Sequence, residues 1–246
     1  YLEEENILFS QDAFGMHYAS TERFDSDIPQ TVLEEEAATY YANILLPYSP
    51  LVTKLSHKIA SLGLPIKIIA PDHGPVWRKN SPWIIEKYKT WAEQKPTAKA
   101  VIVYGSMWKN TEKMARSIAE GLISEGVAVK FMCLDCCHRS DIMPELLNAA
   151  AVIIGSSTLN NNVLPQMADV LTYMKGLKPK NLKGFAFGSY GWSGEAADHV
   201  QAMMKEMGIE ITSEALKAKN APTDDILNAC YEKGQALARD ILAALG

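Results

Sequence analysis

The sequence predicts an α/β protein of two domains, the second of which is a doubly wound sheet of five parallel strands. The chain has 246 residues, more than one domain usually holds, so two domains with separate cores are expected. From residue 98 onward, short apolar runs alternate with amphipathic stretches, which is the pattern of βαβ units. Hydrophobic residues make up 48% of the chain and charged residues 22%, a composition that favours a globular protein over a disordered one.

The strands of the second domain are expected at its five apolar runs. These are residues 98–106, 128–134, 150–158, 183–191 and 210–218. The stretches between them predict helices, several with a polar N-cap residue and a glycine near the end. The predicted helices cover about residues 110–125, 140–149, 165–176, 194–207 and 222–245. Strands and helices that alternate in this way are typical of a parallel sheet with helices on both faces.

The first domain, residues 1–94, has a less complete pattern. Its predicted strands are 5–12 and 66–74, and its predicted helices are 31–46, 50–62 and 82–94. Two strands and three helices are too few for a symmetrical sheet, so we expect the second half of an α/β layer structure and a larger parent protein. The segment KPTAK at 95–99 is interpreted as a linker, since Pro96 disfavours a continuing helix, and the second domain then covers 100–246.

Composition excludes two classes of partner. The net charge is −5 and the 24 basic residues are scattered, so the chain has no electrostatic footprint for nucleic acid. No apolar run is long enough to span a bilayer, and the first residues are acidic, unlike a signal peptide. We therefore expect a cytoplasmic protein that binds neither nucleic acid nor membranes.

Three of the four cysteines lie close together, at Cys133, Cys136 and Cys137. This number suits reduced thiols better than a disulfide framework in a chain of this length. Cys133 and Cys136 form a C-x-x-C pair, which is compatible with a redox or metal pair. Ordinary thiols near the end of a strand are the favoured interpretation, because no second cysteine pair completes a metal site.

Three loops of the second domain are candidates for ligand binding. In an open parallel sheet, ligands bind beyond the carboxyl ends of the strands, where the strand order reverses. The loops at that edge are 105–111 after the first strand, 156–164 after the third and 188–194 after the fourth. Each loop also has a plain structural interpretation, respectively as an N-cap, an asparagine-rich turn and a hydrophobic lid.

The chemistry of the three loops is complementary. Hydroxyls, an amide and the free N–H groups of a helix start make the first loop suitable for a phosphate monoester. Amides and hydroxyls in the second loop can form hydrogen bonds with the polar edge of a planar ring. Aromatics and glycines in the third loop allow a flat ligand to approach closely. Together they describe a pocket for flavin mononucleotide (FMN).

The first loop resembles the phosphate loop of flavodoxins, T/S-x-T/S-G-N-T, and the second domain is similar to a flavodoxin domain with strand order 2-1-3-4-5. The chain keeps Ser106, Asn110 and Thr111 but has Trp108 and Lys109 in place of the hydroxyl and the glycine. Lysine adopts the dihedrals available to a glycine at that position only at a cost.

The stretch S-M-W-x-x-T-E-K-M-A resembles the phosphate loop of the flavodiiron proteins, which include the rubredoxin:oxygen oxidoreductases. NNNVLP at 160–165 and FGSYGWSGE at 187–195 are similar to the flavin-ring loops of that family. The resemblance implies FMN as cofactor, with Trp192 as the stacking residue. The implied FMN-binding residues are Ser106, Met107, Trp108, Lys109, Asn110, Thr111, Ser157, Thr158, Leu159, Asn160, Asn161, Asn162, Ser189, Tyr190, Gly191, Trp192 and Gly194.

Residues 1–94 are similar to the C-terminal portion of the metallo-β-lactamase-like αβ/βα sandwich of the same family. The resemblance implies two iron ions, with Asp12 as bridging carboxylate and His73 as ligand of one iron. If the family resemblance is set aside, the sequence favours the interpretation of both residues as ordinary turn residues. His17 is expected at most to support a ligand, and the remaining iron ligands are expected outside this sequence. Two ligands cannot hold an iron pair, so this stretch of chain alone is expected to bind FMN without assembling the iron centre.

The resemblance implies an oxidoreductase that passes electrons from an external donor through FMN to a diiron site, which reduces dioxygen to water, nitric oxide to nitrous oxide, or both. The implied donor is a rubredoxin or a reduced deazaflavin, and the implied assembly is a head-to-tail homodimer or higher oligomer that includes the missing N-terminal half. Two alternatives stay open. One is an electron-carrier module without a working metal site, and the other is a zinc-type hydrolase on the same scaffold.

Overall fold

All 246 residues are described by a computed structural model, in which the chain forms two compact units, Tyr1–Glu93 and Gln94–Gly246. The first unit has two parallel strands, β1 (Ile7–Gln11) and β2 (Ile68–Pro71). Its helices are α1 (Gln30–Tyr40), α2 (Ser49–Leu62) and α3 (Ser81–Glu93). Both predicted strands and all three predicted helices are therefore present.

The first predicted helix is shorter than expected. Helix α1 ends at Tyr40, and the chain continues through a π-helical turn, Tyr41–Leu45, and a 3-10 turn, Leu46–Tyr48. Pro47 explains the end of regular helix, since it has no N–H to donate to the preceding turn. The buried aromatics of this unit, Tyr41, Trp77 and Tyr88, form its core with aliphatic side chains such as Leu33.

The second unit is a parallel sheet with five strand positions. The first three strands are β3 (Thr97–Gly105), β4 (Ala128–Cys133) and β5 (Ala149–Ser156). The fourth is split into β6 (Lys183–Gly184) and β7 (Ala186–Tyr190), and the fifth into β8 (Glu210–Ile211) and β9 (Leu216–Lys219). All pairings are parallel, and the spatial order is 2-1-3-4-5, which confirms the predicted flavodoxin-like sheet.

The break in the fourth strand has a local cause at Gly184. A Cβ at this position would lie 1.8 Å from the Val152 carbonyl oxygen of the neighbouring strand, so only glycine allows this approach. The chain resumes its pairing at Ala186, which is opposite Ile154. The pattern of apolar residues alone predicts one continuous strand here.

Five helices cover the sheet. They are α4 (Asn110–Ser124), α5 (Arg139–Leu146), α6 (Pro165–Leu177), α7 (Glu195–Glu206) and α8 (Asp224–Leu245). Two predicted boundaries differ. Helix α5 ends before 149 because Ala149 already pairs in β5, and β3 begins at Thr97, inside the predicted linker, because the Thr97 N–H donates to the Asn148 carbonyl at 2.9 Å.

Helix α4, which follows the first candidate loop, is held by α8. A Cβ at Gly121 would lie 2.1 Å from the Tyr231 carbonyl oxygen, and one at Gly234 would lie 2.3 Å from the Ile118 carbonyl oxygen. Both helices therefore approach backbone to backbone and share a core with β3 and β5 that includes Ile102, Ile118 and Leu237. None of the helices combines the length and the apolar character that crossing a membrane requires.

Candidate functional site

A triad of buried hydroxyls joins the three candidate loops at the carboxyl edge of the second sheet. Thr111 is the second residue of helix α4, Ser157 follows β5, and Ser189 lies near the end of β7. The Thr111 Oγ1 lies 3.0 Å from the Ser157 Oγ and 2.8 Å from the Ser189 Oγ, and all three residues are buried. Strands that end side by side place these loops together, and the triad fixes their spacing.

An open cleft of about 290 Å³ lies over this triad. It is lined by residues of all three loops and of the loop after β9: Met107, Trp108, Asn110, Ser157, Thr158, Ser189, Tyr190, Gly191 and Asn220. Eight of these nine are among the predicted FMN-binding residues. The other predicted residues do not line the cleft, namely Ser106, Lys109, Thr111, Leu159, Asn160, Asn161, Asn162, Trp192 and Gly194.

The first loop leaves the start of helix α4 open. Its N-cap is Lys109, whose side chain accepts no hydrogen bond from the helix, and Lys109 adopts the left-handed conformation with φ 60° and ψ 9°. Ser106 Oγ accepts only a long bond, 3.4 Å, from the Glu112 N–H. The simple N-cap interpretation therefore explains little of this loop, and N–H groups of the first turn are free for an anion.

The cost predicted at Lys109 is present in the structure. A residue with a Cβ occupies the left-handed region at a cost of roughly 1–2 kcal/mol, which glycine avoids. Lys109 thus has backbone strain that a glycine at this position would avoid.

Two tryptophans beside the cleft are unusually exposed. Trp108 is 81% exposed and Trp192 is 94% exposed. An exposed aromatic face beside a polar cleft fits a planar ring ligand. Tyr190, half-buried on the opposite loop, contributes a third aromatic side chain to the cleft wall.

The second loop forms a tight hairpin that holds the third loop. Leu159 and Asn162 exchange two backbone hydrogen bonds of 2.9 Å, and the intervening Asn160 and Asn161 have φ of 50° and 59°. Asparagine tolerates this left-handed conformation, so the asparagine-rich turn is a structural feature as well as a candidate site. The Asn161 Oδ1 accepts a bond of 3.2 Å from the Ser193 hydroxyl.

His199 connects helix α7 to this hairpin. Its Nδ1 lies 3.1 Å from the Asn162 Oδ1, which links helix α7 to the hairpin. Helix α7 is also joined to the second loop through the Ala196 N–H, which donates to Thr158 Oγ1 at 3.4 Å. The hairpin is thus held from two sides.

Asn220 is the cleft residue that the sequence analysis missed. It follows β9, the end of the fifth strand, and its N–H donates to the Tyr190 carbonyl at 2.7 Å. Asn220 has φ 62°, a conformation that asparagine tolerates. The rule that selected the other loops, position after a strand's carboxyl end, also applies to this residue.

These features fit FMN on the chemistry of the residues present. The open helix start suits the phosphate, the hydroxyls and amides suit the polar ring edge, and the exposed tryptophans suit the ring faces. The assignment of individual FMN contacts remains a prediction.

The first unit brings Asp12 and His73 together. Asp12 follows β1 and His73 follows β2, so the parallel pairing places both at one edge. The His73 Nε2 lies 3.5 Å from the Asp12 Oδ1, and both side chains are about half exposed. A carboxylate and an imidazole that face each other are suitable donors for iron.

Two further side chains surround this pair. The Tyr40 hydroxyl donates to the Asp12 Oδ1 at 3.3 Å. Burial, with the negative charges of Asp12 and Asp72, raises the pKa of Tyr40 to about 12, so this hydroxyl keeps its proton at neutral pH. The His17 ring contacts the His73 ring edge-on, with ring centroids 5.3 Å apart. His17 thus contacts a candidate ligand, and its supporting role stays a prediction.

Buried anchors hold the two loops that carry Asp12 and His73. The Trp77 Nε1 donates to the Phe14 carbonyl at 2.8 Å, and the Met16 N–H donates to the His73 carbonyl at 3.3 Å. The pair is therefore positioned by the core of the unit. No cluster of three or more His, Cys, Asp or Glu side chains in the chain is arranged to hold a metal, so Asp12 and His73 fit only part of a two-metal site.

The chain is similar in sequence to a known protein family and to proteins of known name. The flavodoxin family model matches residues 102–234. The chain is 44% identical over 242 residues to a nitric oxide reductase of Moorella thermoacetica, an alignment that covers 98% of this chain and 61% of the relative.

Solved structures extend the similarity to both units. Rubredoxin oxygen:oxidoreductase from Desulfovibrio gigas superposes with a TM-score of 0.96 at 42% identity, over 100% of this chain and 62% of that one. A flavodiiron protein from Giardia intestinalis superposes with a TM-score of 0.92 at 29% identity, over 99% and 60%. The chain thus spans about three fifths of the length of the relatives it matches.

Proposed function

We propose a function for the protein to which this chain belongs, starting from the chain's membership of the flavodiiron protein family. That protein is an oxidoreductase that reduces dioxygen to water, nitric oxide to nitrous oxide, or both. One observation carries the proposal. The same chain holds a cleft suited to FMN, built on the hydroxyl triad Thr111, Ser157 and Ser189, and an Asp12–His73 pair suited to iron. A flavin site and an iron site in one chain favour electron transfer over hydrolysis, which moves no electrons.

The residues of the second unit would bind and orient FMN. When bound, FMN supplies the exchange of one or two electrons that a donor and an iron pair require. The N–H groups at the start of α4, together with Asn110, would hold the phosphate. Ser157, Thr158 and Asn220 offer hydroxyls and an amide to the ring edge, and Trp192 would cover a ring face.

Asp12 and His73 would supply two iron ligands. A carboxylate can bridge two metal ions, while the imidazole Nε2 can bind one. The Tyr40 hydroxyl holds its proton beside the Asp12 Oδ1, which orients that carboxylate. The other ligands would come from outside the residues of this chain.

The names of the relatives suggest the substrates and the donor. One relative is named a nitric oxide reductase and another a rubredoxin-oxygen oxidoreductase. We therefore propose dioxygen or nitric oxide as substrate and a rubredoxin as external donor, with a reduced deazaflavin as the other candidate. A head-to-tail homodimer, in which the flavin of one subunit lies near the irons of the other, is the proposed assembly.

The test is a cofactor count and a gas-consumption assay on the intact protein. We expect about two irons and one FMN per flavodoxin domain, and consumption of dioxygen or nitric oxide when reduced rubredoxin is added. Asp12→Asn should abolish gas consumption and leave FMN content unchanged. FMN without iron and without gas consumption would overturn the proposal in favour of an electron carrier, and zinc in place of iron would favour a hydrolase.

A further inference from the structure

Three cysteines cluster in the turn that follows β4, outside the sites described above. Cys133 ends the strand, Cys136 is exposed, and Cys137 is partly buried. The N–H groups of Cys136 and Cys137 both donate to the Cys133 carbonyl oxygen, each at 3.0 Å. The chain therefore folds back on Cys133 in one tight turn.

This turn gives Cys133 and Cys136 a separation that a disulfide can bridge. Residues i and i+3 of a hydrogen-bonded turn have Cα atoms less than about 7 Å apart. Disulfides require a Cα separation of about 4.4–6.8 Å. Both thiols are free in the structure.

We propose that Cys133 and Cys136 form a reversible disulfide that hydrogen peroxide generates and a dithiol reductant removes. The Cys136 thiolate attacks the O–O bond of the peroxide, giving a sulfenic acid and one water molecule. The Cys133 sulfur then attacks the Cys136 sulfur, and the sulfenic oxygen leaves as a second water. In total the two thiols lose two electrons and two protons, and the peroxide takes up these electrons and protons to become two water molecules.

The surroundings of the three thiols favour this pairing over the alternatives. Cys136 is exposed and is the first to meet a dissolved oxidant, whereas Cys133 packs against the core beside β3, where it lies opposite Tyr104. Burial and the nearby carboxylate of Asp141 raise the pKa of Cys137, which makes it the poorer nucleophile. Cys230 is fully buried, and burial raises its pKa to about 12, so it serves as an unreactive internal reference.

The cysteine turn lies next to the strand that leads into the first candidate loop. Cys133 pairs in register with Tyr104, two residues before Ser106 and the first candidate loop. The Leu134 N–H donates to the Tyr104 carbonyl at 3.0 Å, so the cysteine turn is hydrogen-bonded to β3 directly before that loop. The inference does not depend on the proposed function, since it uses only the thiols and their turn.

The test is peptide mapping of the folded protein after treatment with hydrogen peroxide. The protein is then alkylated, unfolded and cut with trypsin, which leaves all three cysteines on the peptide 131–139. We expect two of its three thiols to resist alkylation, with the label on Cys137, and reduction by dithiothreitol to restore all three. Further cleavage before Asp135 should leave the two fragments joined by the disulfide, whereas a Cys136–Cys137 bond would let them separate.

Single variants identify the partners. Cys137→Ser should keep the cross-link, and Cys133→Ser should instead leave Cys136 as a sulfenic acid that dimedone labels. Circular dichroism and FMN absorbance report whether each variant is folded. Three alkylated thiols after peroxide treatment, or a cross-link that persists in Cys133→Ser, would overturn the proposal.

Discussion

In both units of this protein, candidate binding residues lie at the carboxyl edge of a parallel sheet, but the number of strands that contribute such residues differs. In Gln94–Gly246, loops after four strands converge on one cleft, and the Thr111, Ser157 and Ser189 hydroxyls join three of them. In Tyr1–Glu93, two parallel strands present two candidate ligands, Asp12 and His73. The comparison shows that a parallel sheet edge gathers more side chains into one place when more of its strands contribute loops.

The largest expected difference is the response of the two units to their cofactors. FMN at a hundredfold excess over its Kd should stabilise Gln94–Gly246 by about 2.7 kcal/mol. Ferrous iron should leave Tyr1–Glu93 of this 246-residue chain unchanged, because a carboxylate and an imidazole alone bind iron weakly. Hydrogen exchange read by mass spectrometry distinguishes the units. Slower hydrogen exchange around β1 and β2 in the presence of iron would contradict this expectation, since it would show that two ligands are enough to bind iron.

Thr111→Val tests whether the hydroxyl triad makes the second site complete. The substitution leaves the buried hydroxyls of Ser157 and Ser189 without their shared partner, at a cost of about 1–3 kcal/mol. We expect roughly tenfold weaker FMN binding, which corresponds to about 1.4 kcal/mol, measured by quenching of FMN fluorescence. Thr223→Val is the matched control, because Thr223 caps α8 and its loss should cost stability of about 1 kcal/mol without changing FMN affinity.

Trp192→Ala separates the contribution of this ring to FMN binding from its contribution to the stability of the second unit. Because Trp192 is 94% exposed, its removal should leave the urea unfolding midpoint unchanged. Loss of a stacked aromatic pair is worth about 0.5–1.5 kcal/mol, so FMN affinity should fall roughly twofold to tenfold. Trp192→Phe should recover most of that affinity. Equal FMN affinity in wild type and Trp192→Ala would show that this ring does not contact the flavin.

Lys109→Gly should have the smallest effect. Glycine relieves the left-handed strain at Lys109, and we expect the free energy of unfolding to rise by about 1 kcal/mol. Lys113→Gly, three residues into the same helix and equally exposed, should lower it by about 1 kcal/mol instead. Chemical denaturation measures both changes. A destabilising Lys109→Gly would show that contacts of the lysine side chain outweigh the backbone strain in this loop.

Most of the second unit could be predicted from the sequence because its strands are continuous apolar runs and its connections are short. The strand order and the three loops followed from the rules for parallel sheets, with the family resemblance as support. The split of the fourth strand could not be predicted, since it depends on the contact between Gly184 and Val152 in the neighbouring strand. Asn220 was within reach of the rule that selected the other loops, because it follows the fifth strand, whereas its hydrogen bond to the Tyr190 carbonyl depends on the fold.

The first unit shows the limit of the same reasoning. Strand ends identified Asp12 and His73 as candidates, and the family resemblance implied their role. The contact of Tyr40 with Asp12 joins residues 28 positions apart, and the contact of His17 with His73 joins two loops. Sequence patterns carry no signal for either contact.

The α/β class, the order of elements and the residue types at the strand ends follow from the sequence, because periodicity and local turn chemistry act within a few residues. Which of those residues meet depends on tertiary packing. The hydroxyl triad, the open start of α4 and the Asp12–His73 pair each depend on the spacing of neighbouring strands and on buried contacts between distant residues. Side-chain chemistry is local, whereas the distance between two side chains is a property of the packed core.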